Sequence, residues 1–353
     1  MPTFNSNILK TSDFDYYLPF DFIAQFPVTK RDESRLMVLS RRESSLEHRF
    51  FSDIVDCLSS GDLLVLNDTK VIPANLVGRK AEGIARIEVL LAKHVEKSEW
   101  LCLVKPGKRL KVGSKVIFSS YLTGEVLKKL ESGEQIIRFN GELDRFMKEK
   151  GEIPLPPYIT DLRQQPADHK LQEMTNRYQT VYAQKDGATA APTAGLHFTP
   201  ELLARIESKG VEIKKITLHT GLGTFKPVYT EYIKDHKMHE EDFEISVDVL
   251  RSIKKAKRVI AVGTTTVRTL ETLAHSNRLN ALNDIYGSTD IFIYPGFKFK
   301  VVDAMITNFH VPKSTLLMLV SAFAGREFIL NAYKEAIDNY YRFFSFGDAM
   351  LIF

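Results

Sequence analysis

Pro154, Pro156 and Pro157 fall within four consecutive positions, and neither a helix nor an interior sheet strand runs through such a segment. The chain is therefore divided near residue 154, and the two sides are patterned differently. From about 69 to 154, short apolar and β-branched runs recur roughly every ten residues. Strands are predicted at 85–91, 99–104, 114–118 and 134–139, with Gly107, Gly113, Gly124, Gly133 and Gly141 as turn markers and a weak helical signal at 143–150. Such spacing suits a small barrel or sandwich. After the prolines, strands predicted at 211–218, 258–262 and 304–309 alternate with helices at 201–209, 247–257, 267–275 and 314–323. Upstream, 61–68 reads as a turn, a buried strand and a polar strand end. That alternation predicts α/β units about a largely parallel sheet, with the β-rich stretch inserted.

Composition adds a few limits. A chain of 353 residues with 44% hydrophobic and 26% charged residues has material for a sizeable core, which excludes a disordered or fibrous protein. Its net charge of +4 permits a polyanionic partner without requiring one. Cys57 and Cys102 match neither a disulfide framework nor zinc-ligand spacing, so a reducing cytosol is expected. The first residues, Met1-Pro2-Thr3-Phe4-Asn5, do not read as a signal peptide. The apolar run 316–324, broken by Ser321, is far short of the ~20 residues of a membrane helix. A soluble cytoplasmic protein without a membrane partner is the expectation.

Chemistry is best sought where strands hand over to helices. Ala261-Val262-Gly263-Thr264-Thr265-Thr266-Val267-Arg268 presents backbone N–H groups and hydroxyls suited to an anion or a sugar. The threonines serve equally well as plain helix caps. At 190–199, small residues including Thr193 and Gly195 allow close backbone approach, and His197 exchanges protons near neutral pH. A buried histidine in a tight turn has the same appearance. His219-Thr220-Gly221-Leu222-Gly223 falls short of GxGxxG, and no GxxxxGK occurs, so dehydrogenase and P-loop readings lose their main support. His236, His239 and Glu240 would share one face of a helix, a spacing metals accept, but the surrounding charges favour a solvated segment. Asn308-Phe309-His310 is a further polar strand end, and the aromatic stretch 341–348 suits base stacking or core packing. Basic clusters at 105–111 and 254–258 suit phosphates, or simply a solvated face. These loops fit a nucleoside-like substrate without naming a reaction.

AAPTAGLHFT at 190–199, RVIAVGTTTVRTLE at 258–271, VDAMITNFHVPKSTLLMLVSAFAG at 302–325 and RFFSFGDAMLI at 342–352 resemble motifs of the S-adenosylmethionine:tRNA ribosyltransferase-isomerase family of queuosine biosynthesis. DFDY at 13–16, LNDTKVIPA at 66–74 and GEIPLPPYI at 151–159 are similar as well. Departures are small: Thr220 stands where the family tends to have valine, and 84–88 replaces a more glycine-rich approach to the following strand. The resemblance implies an α/β fold, with a barrel-like main domain formed by 1–68 and 155–353 and a small all-β, barrel-like domain inserted at 69–154. It implies that the ribosyl part of S-adenosylmethionine is transferred to 7-aminomethyl-7-deazaguanine at the tRNA wobble position, giving epoxyqueuosine with release of adenine and methionine.

The same resemblance implies no metal, no cofactor beyond S-adenosylmethionine as co-substrate, tRNA as partner and a monomer. His197, His219, His310, Asp303 and Asp348 become candidates for proton transfer. Thr193, Gly195, Gly221, Gly223, Thr264, Thr265, Thr266 and Arg268 are expected around S-adenosylmethionine. Arg35, Asn67, Asp68, Lys105, Lys108, Arg109, Lys111 and Arg342 are expected towards tRNA. Two other classes compete. A methyltransferase would require a glycine-rich nucleotide loop that this sequence does not contain. A catalytically silent tRNA binder would lose nothing that depends on turnover when His197 is replaced.

Overall fold

The computed structural model describes residues 9–131, 133–159, 168–221 and 228–353. Its strands are β1 (Arg35–Ser40), β2 (Ser45–Phe50), β3 (Asp62–Asn67), β4 (Thr69–Val71), β5 (Asn75–Lys80), β6 (Arg86–Glu96), β7 (Glu99–Lys105), β8 (Lys115–Ile117) and β9 (Leu122–Lys129). They continue as β10 (Gln135–Gly141), β11 (Lys185–Ala188), β12 (Glu212–Leu218), β13 (Glu241–Ile245), β14 (Arg258–Val262), β15 (Ile285–Thr289), β16 (Ala304–Asn308) and β17 (Ala349–Ile352). Contacts divide the chain into two compact units, 1–70 with 156–185 and 191–353, and 71–155 with 186–190. The short piece 186–190 carries no sequence signal that would assign it to the β-rich unit.

The first unit is built on a nine-stranded sheet ordered β15-β13-β12-β3-β14-β16-β17-β1-β2. β12, β3, β14 and β16 run parallel. β17 is antiparallel to β16, and β1 is parallel to β17. The interior strands are apolar almost without a break because both faces of the sheet are covered. Leu63, Val65, Val259, Ala261 and Met305 enter one core, packed with residues of the helices Val247–Lys255, Thr264–His275, Thr315–Ala324 and Arg326–Asp338. Their neighbours Leu64, Leu66, Ile260, Val262, Ala304 and Ile306 enter the other, with Phe51, Ile54 and residues of the helix Pro200–Ser208.

The α/β class is as expected, and the large sheet runs from β15 to β2. β2 and β15 are its edges, and β2 carries exposed Glu47 and half-buried Arg49, charges that discourage further pairing. Helix starts follow the sequence closely. Thr199 Oγ1 accepts from Leu202 N at 3.1 Å with Pro200 in the first turn, and Ser314 Oγ accepts from Leu317 N at 3.2 Å. No single helix is long and apolar enough to cross a membrane among the described residues.

The second unit is a closed barrel, β10-β7-β6-β5-β8-β9, around Leu76, Val89, Leu91, Cys102, Val116, Val126 and Ile137. Four of its strands are those predicted. β5 and β9 escape the sequence reading because Gly78 and Gly124 interrupt their alternation. Gly124 lies inside β9 and is not a turn.

Candidate active site

The sheet directions gather one set of residues on one edge. The parallel strands β3, β12, β14 and β16 finish there, bringing Asn67 and Asp68, His219, Gly263 and the following threonines, and Asn308 with His310. β1 and β17 begin at that same edge, adding Arg35 and Asp348. Carboxyl ends of parallel strands are where α/β sheets bind ligands. Asp303 precedes β16 and therefore lies at the opposite end, about 16 Å away at the usual rise per residue. Its Oδ2 accepts from Val259 N at 2.8 Å, so the structure does not bring it to the histidines.

His197 comes from the 3-10 turn Thr193–His197, is buried, and stacks on Phe51 with centroids 5.0 Å apart. Asn308 Nδ2 lies 3.1 Å from its Nε2 and 3.2 Å from the Phe344 carbonyl, so the amide nitrogen donates and Nε2 accepts. His197 Nδ1 therefore carries the hydrogen and donates to Ser34 Oγ at 2.7 Å, while Ser34 Oγ donates to the Arg31 carbonyl at 3.2 Å. Burial, reinforced by Arg31 and Arg342, lowers this imidazole to about 3. His197 is thus a neutral ring with both nitrogens engaged. Sequence reasoning selected the histidine but missed Ser34 and Asn308, which fix its tautomer.

His310 is also buried and neutral, lowered to about 3 by burial, with Nε2 2.8 Å from Thr307 Oγ1. The Tyr16 hydroxyl donates to its carbonyl at 2.5 Å. His219 is only half buried. Its Nδ1 lies 2.8 Å from Thr69 Oγ1, and burial lowers its pKa against the opposing pull of Asp242 and Asp68. Its Nε2 makes no hydrogen bond among the described residues. Beside it, a Cβ on Gly221 would meet open space. Gly223 lies outside the described residues.

Asp348 accepts from the backbone N–H of Arg35 at 2.8 Å and of Arg342 at 2.7 Å. Burial raises its carboxyl against those two donors. It joins the starts of two strands. The Arg35 guanidinium lies over the Tyr341 ring at 3.8 Å and donates to the Asn339 carbonyl, and Arg342 donates to the Phe26 carbonyl. Both arginines therefore already have protein partners. Asn67 bridges the splay between β3 and β12: its Oδ1 accepts from Leu218 N and its Nδ2 donates to Leu218 O, each at 3.0 Å. Asp68 Oδ1 accepts from Thr217 Oγ1 at 2.7 Å.

At the β14 junction, Gly263 adopts φ +91°, a turn that L residues strongly resist, and starts the helix Thr264–His275 without a side-chain cap. The first-turn N–H groups therefore have no side-chain cap among the described residues. Thr266 Oγ1 donates back to the Val262 carbonyl at 2.7 Å, while Thr265 Oγ1 is 3.5 Å from Asn67 Nδ2. Arg268 does not project towards a ligand. It is buried against Glu241 and also donates to the Ile291 carbonyl at 3.2 Å.

Gly195 answers to packing, because a Cβ there would stand 2.0 Å from the Tyr182 hydroxyl. Gly195→Ala is expected to cost ~1–3 kcal/mol. Tyr182→Phe alone should cost little, since that hydroxyl is buried without a partner among the described residues, and combining the two should recover part of the loss, Thr180 Cγ2 at 2.8 Å staying in the way. Urea denaturation of the four proteins would expose a purely additive result, which would refute the clash.

The four basic side chains of the second unit, Lys105, Lys108, Arg109 and Lys111, are all exposed around the 3-10 turn Gly107–Arg109. His236–Glu240 is not helical, and His236 packs edge-on against Phe292 at 5.3 Å, so the one-face premise for a metal does not hold.

A largely parallel α/β sheet with polar groups massed on its carboxyl edge is the arrangement in which α/β enzymes hold their ligands. The family described as queuosine biosynthesis protein matches residues 11–352. An S-adenosylmethionine:tRNA ribosyltransferase-isomerase of Halothermothrix orenii is 54% identical over 351 residues, covering 98% of this chain and all of that protein. One of Thermotoga petrophila is 51% identical over 348 residues, with the same coverage. The crystal structure of S-adenosylmethionine tRNA ribosyltransferase from Thermotoga maritima is 42% identical, covers 97% of this chain and 100% of its own, and superposes with a TM-score of 0.55. The chain belongs to this S-adenosylmethionine:tRNA ribosyltransferase-isomerase family of queuosine biosynthesis.

Proposed function

We propose that the chain transfers the ribosyl part of S-adenosylmethionine to 7-aminomethyl-7-deazaguanine at the tRNA wobble position and isomerises it to the epoxide, releasing adenine and methionine. The observation that carries this reading is the length of the family match, 11–352, which takes in every strand end of the candidate site. The sulfonium acidifies the C5′ protons, and a positioned base removes one. Adenine leaves once a donor engages its ring nitrogens, the neutral amine attacks the sugar, and the epoxide closes as the sulfur departs with methionine.

We assign the base to His219. It is unprotonated at neutral pH, held at Nδ1 by Thr69, and set beside the open backbone of Gly221. His197 and Asn308 hold the adjoining strand ends in register. The uncapped helix start at Thr264–Thr266 suits the carboxylate of the methionine part.

The test incubates purified protein with S-adenosylmethionine and tRNA carrying the aminomethyl base, then measures free adenine and the digested nucleosides by mass spectrometry. Adenine matched by epoxyqueuosine supports the reading, and His219→Gln should lower the rate ~10²–10⁴-fold. Methylated tRNA with S-adenosylhomocysteine, or tRNA binding without turnover, would overturn it. The barrel supplies a tRNA grip in this reading. Replacing Lys108 and Arg109 by alanine should reduce the slope of log affinity against log salt by ~1–2, and an unchanged slope would remove the barrel from the contact.

A further inference from the structure

A cleft of about 670 Å³ in the α/β unit is left unused by the chemistry above; Asp15, Tyr16, Tyr17, Leu18, Pro312 and Phe344 are among the residues lining it. Its size is that of a small-ligand site. It adjoins the strand-end residues: Val311 and Pro312 follow His310 directly, and the Phe344 carbonyl accepts from Asn308 Nδ2 at 3.2 Å.

One wall is fixed and one is free. Tyr16 is anchored by its hydroxyl to the His310 carbonyl and packs edge-on against Tyr333 with centroids 5.0 Å apart. Tyr17, the next residue, is 84% exposed and makes no ring contact among the described residues. An isolated exposed aromatic at a cleft mouth is a surface on which a planar base stacks.

Asp15, which lines the cleft, is one half of a charge pair with the residue that follows Pro312. Lys313 Nζ and Asp15 Oδ2 are 2.7 Å apart and both side chains are nearly half exposed. Lys313 holds φ +58°, a conformation uncommon for lysine, and is pinned there from two sides. Its N–H donates to the Phe14 carbonyl at 2.9 Å, and its own carbonyl accepts from Val228 N at 3.1 Å. The backbone thus fixes where the lysine side chain leaves the chain, within reach of Asp15. An exposed pair of this kind is worth little by itself, so a ligand offering both charges a partner displaces it readily.

We propose that this cleft takes a guanine-class base of the tRNA, stacked on Tyr17, with O6 accepting from Lys313 and with N1–H and the N2 amino group donating to Asp15. The proposal rests on the tRNA reading above and specifies where its base sits; a 7-deazaguanine keeps the same edge. Adenine presents the reverse order, an amino donor beside a ring acceptor, which would set a lone pair against the Asp15 carboxylate and a donor against the lysine.

The experiment measures equilibrium binding of two short anticodon stem-loop RNAs, with guanine or adenine at the wobble position, to the full chain. The intact protein should prefer guanine ~10-fold. Asp15→Asn should erase that preference, and Tyr17→Ala should weaken both RNAs ~10-fold while Tyr17→Phe restores binding. Asp15 and Tyr17 are exposed enough for the fold to survive, and unchanged thermal melting together with an unchanged Kd for S-adenosylmethionine verifies it. Absence of a guanine preference, or its persistence in Asp15→Asn, overturns the proposal whether or not the protein turns over. A shifted Kd for S-adenosylmethionine also overturns it, by giving the cleft to that co-substrate. If the preference behaves as expected while no adenine is released, the reaction fails and the base site stands.

Discussion

Replacing Glu241 by alanine is expected to lower stability by ~3–5 kcal/mol, because it leaves the Arg268 guanidinium buried without its carboxylate. Arg268 sits one turn into the helix Thr264–His275 and, among the described residues, is otherwise satisfied by carbonyl groups, those of Thr289 and Ile291. Glu241 starts β13, directly opposite Thr289 at the end of β15. The pair thus ties the helix to the outer strands of the sheet. Glu241→Gln retains a hydrogen-bond acceptor and should cost less. Replacing both members by leucine should recover much of the loss, since the cost comes from the orphaned charge more than from the absent pair. Urea denaturation followed by circular dichroism measures this. A cost below 1 kcal/mol for Glu241→Ala would mean that Arg268 is hydrated or partnered elsewhere.

The second large effect is acid sensitivity. His197 and His310 are both lowered to about 3 when folded, against an ordinary value of 6.5. Between those limits the unfolded chain binds protons that the folded chain refuses, so stability rises with pH and falls as the solution is acidified. Their contribution is fully present above about 6.5 and is lost progressively towards 3, at a rate on the order of 1 kcal/mol per pH unit for each ring. The melting temperature should therefore fall steeply below pH 6. The double variant His197→Gln, His310→Gln starts less stable at neutral pH, yet its acid limb should be visibly flatter. An acid limb of unchanged slope would mean that both rings become protonated without unfolding.

Much of the fold is legible in the sequence because its signals are local. The runs at 62–67 and 258–262 read as buried strands, Thr199-Pro200 and Ser314 announce helices, and the barrel strands alternate in the ordinary way. The helix Arg326–Asp338 was there to be found, since Ile329, Ala332, Tyr333 and Ala336 recur at helical spacing. The strand order of the large sheet was not, because β17 comes to lie between β16 and β1 only through pairing in space.

The site divides similarly. Loop composition points to strand ends that the sheet gathers on one edge, but it cannot tell a side chain aimed at solvent from one spent on its own protein. Arg268 is paired internally, Gly195 makes room for Tyr182, and Asp303 stands at the wrong end of its strand. Ser34 precedes β1 with no motif at all, and only the fold carries it to His197 from 163 residues away in sequence.

The position of β17 bears on how the protein is made. This strand lies between β16 and β1, near the middle of the ladder, yet it is synthesised after both. A ribosome adding about 5–20 residues per second spends roughly 15–60 s between completing β1 and reaching Ala349. Throughout that interval the flank of β1 that β17 will cover is open to the wrong partner, and for the last ~2–8 s that of β16 is open as well. Translation must pass residue 352 before the sheet can close its gap, which makes the nascent chain a natural client for chaperones and ties its yield to the pace of the ribosome.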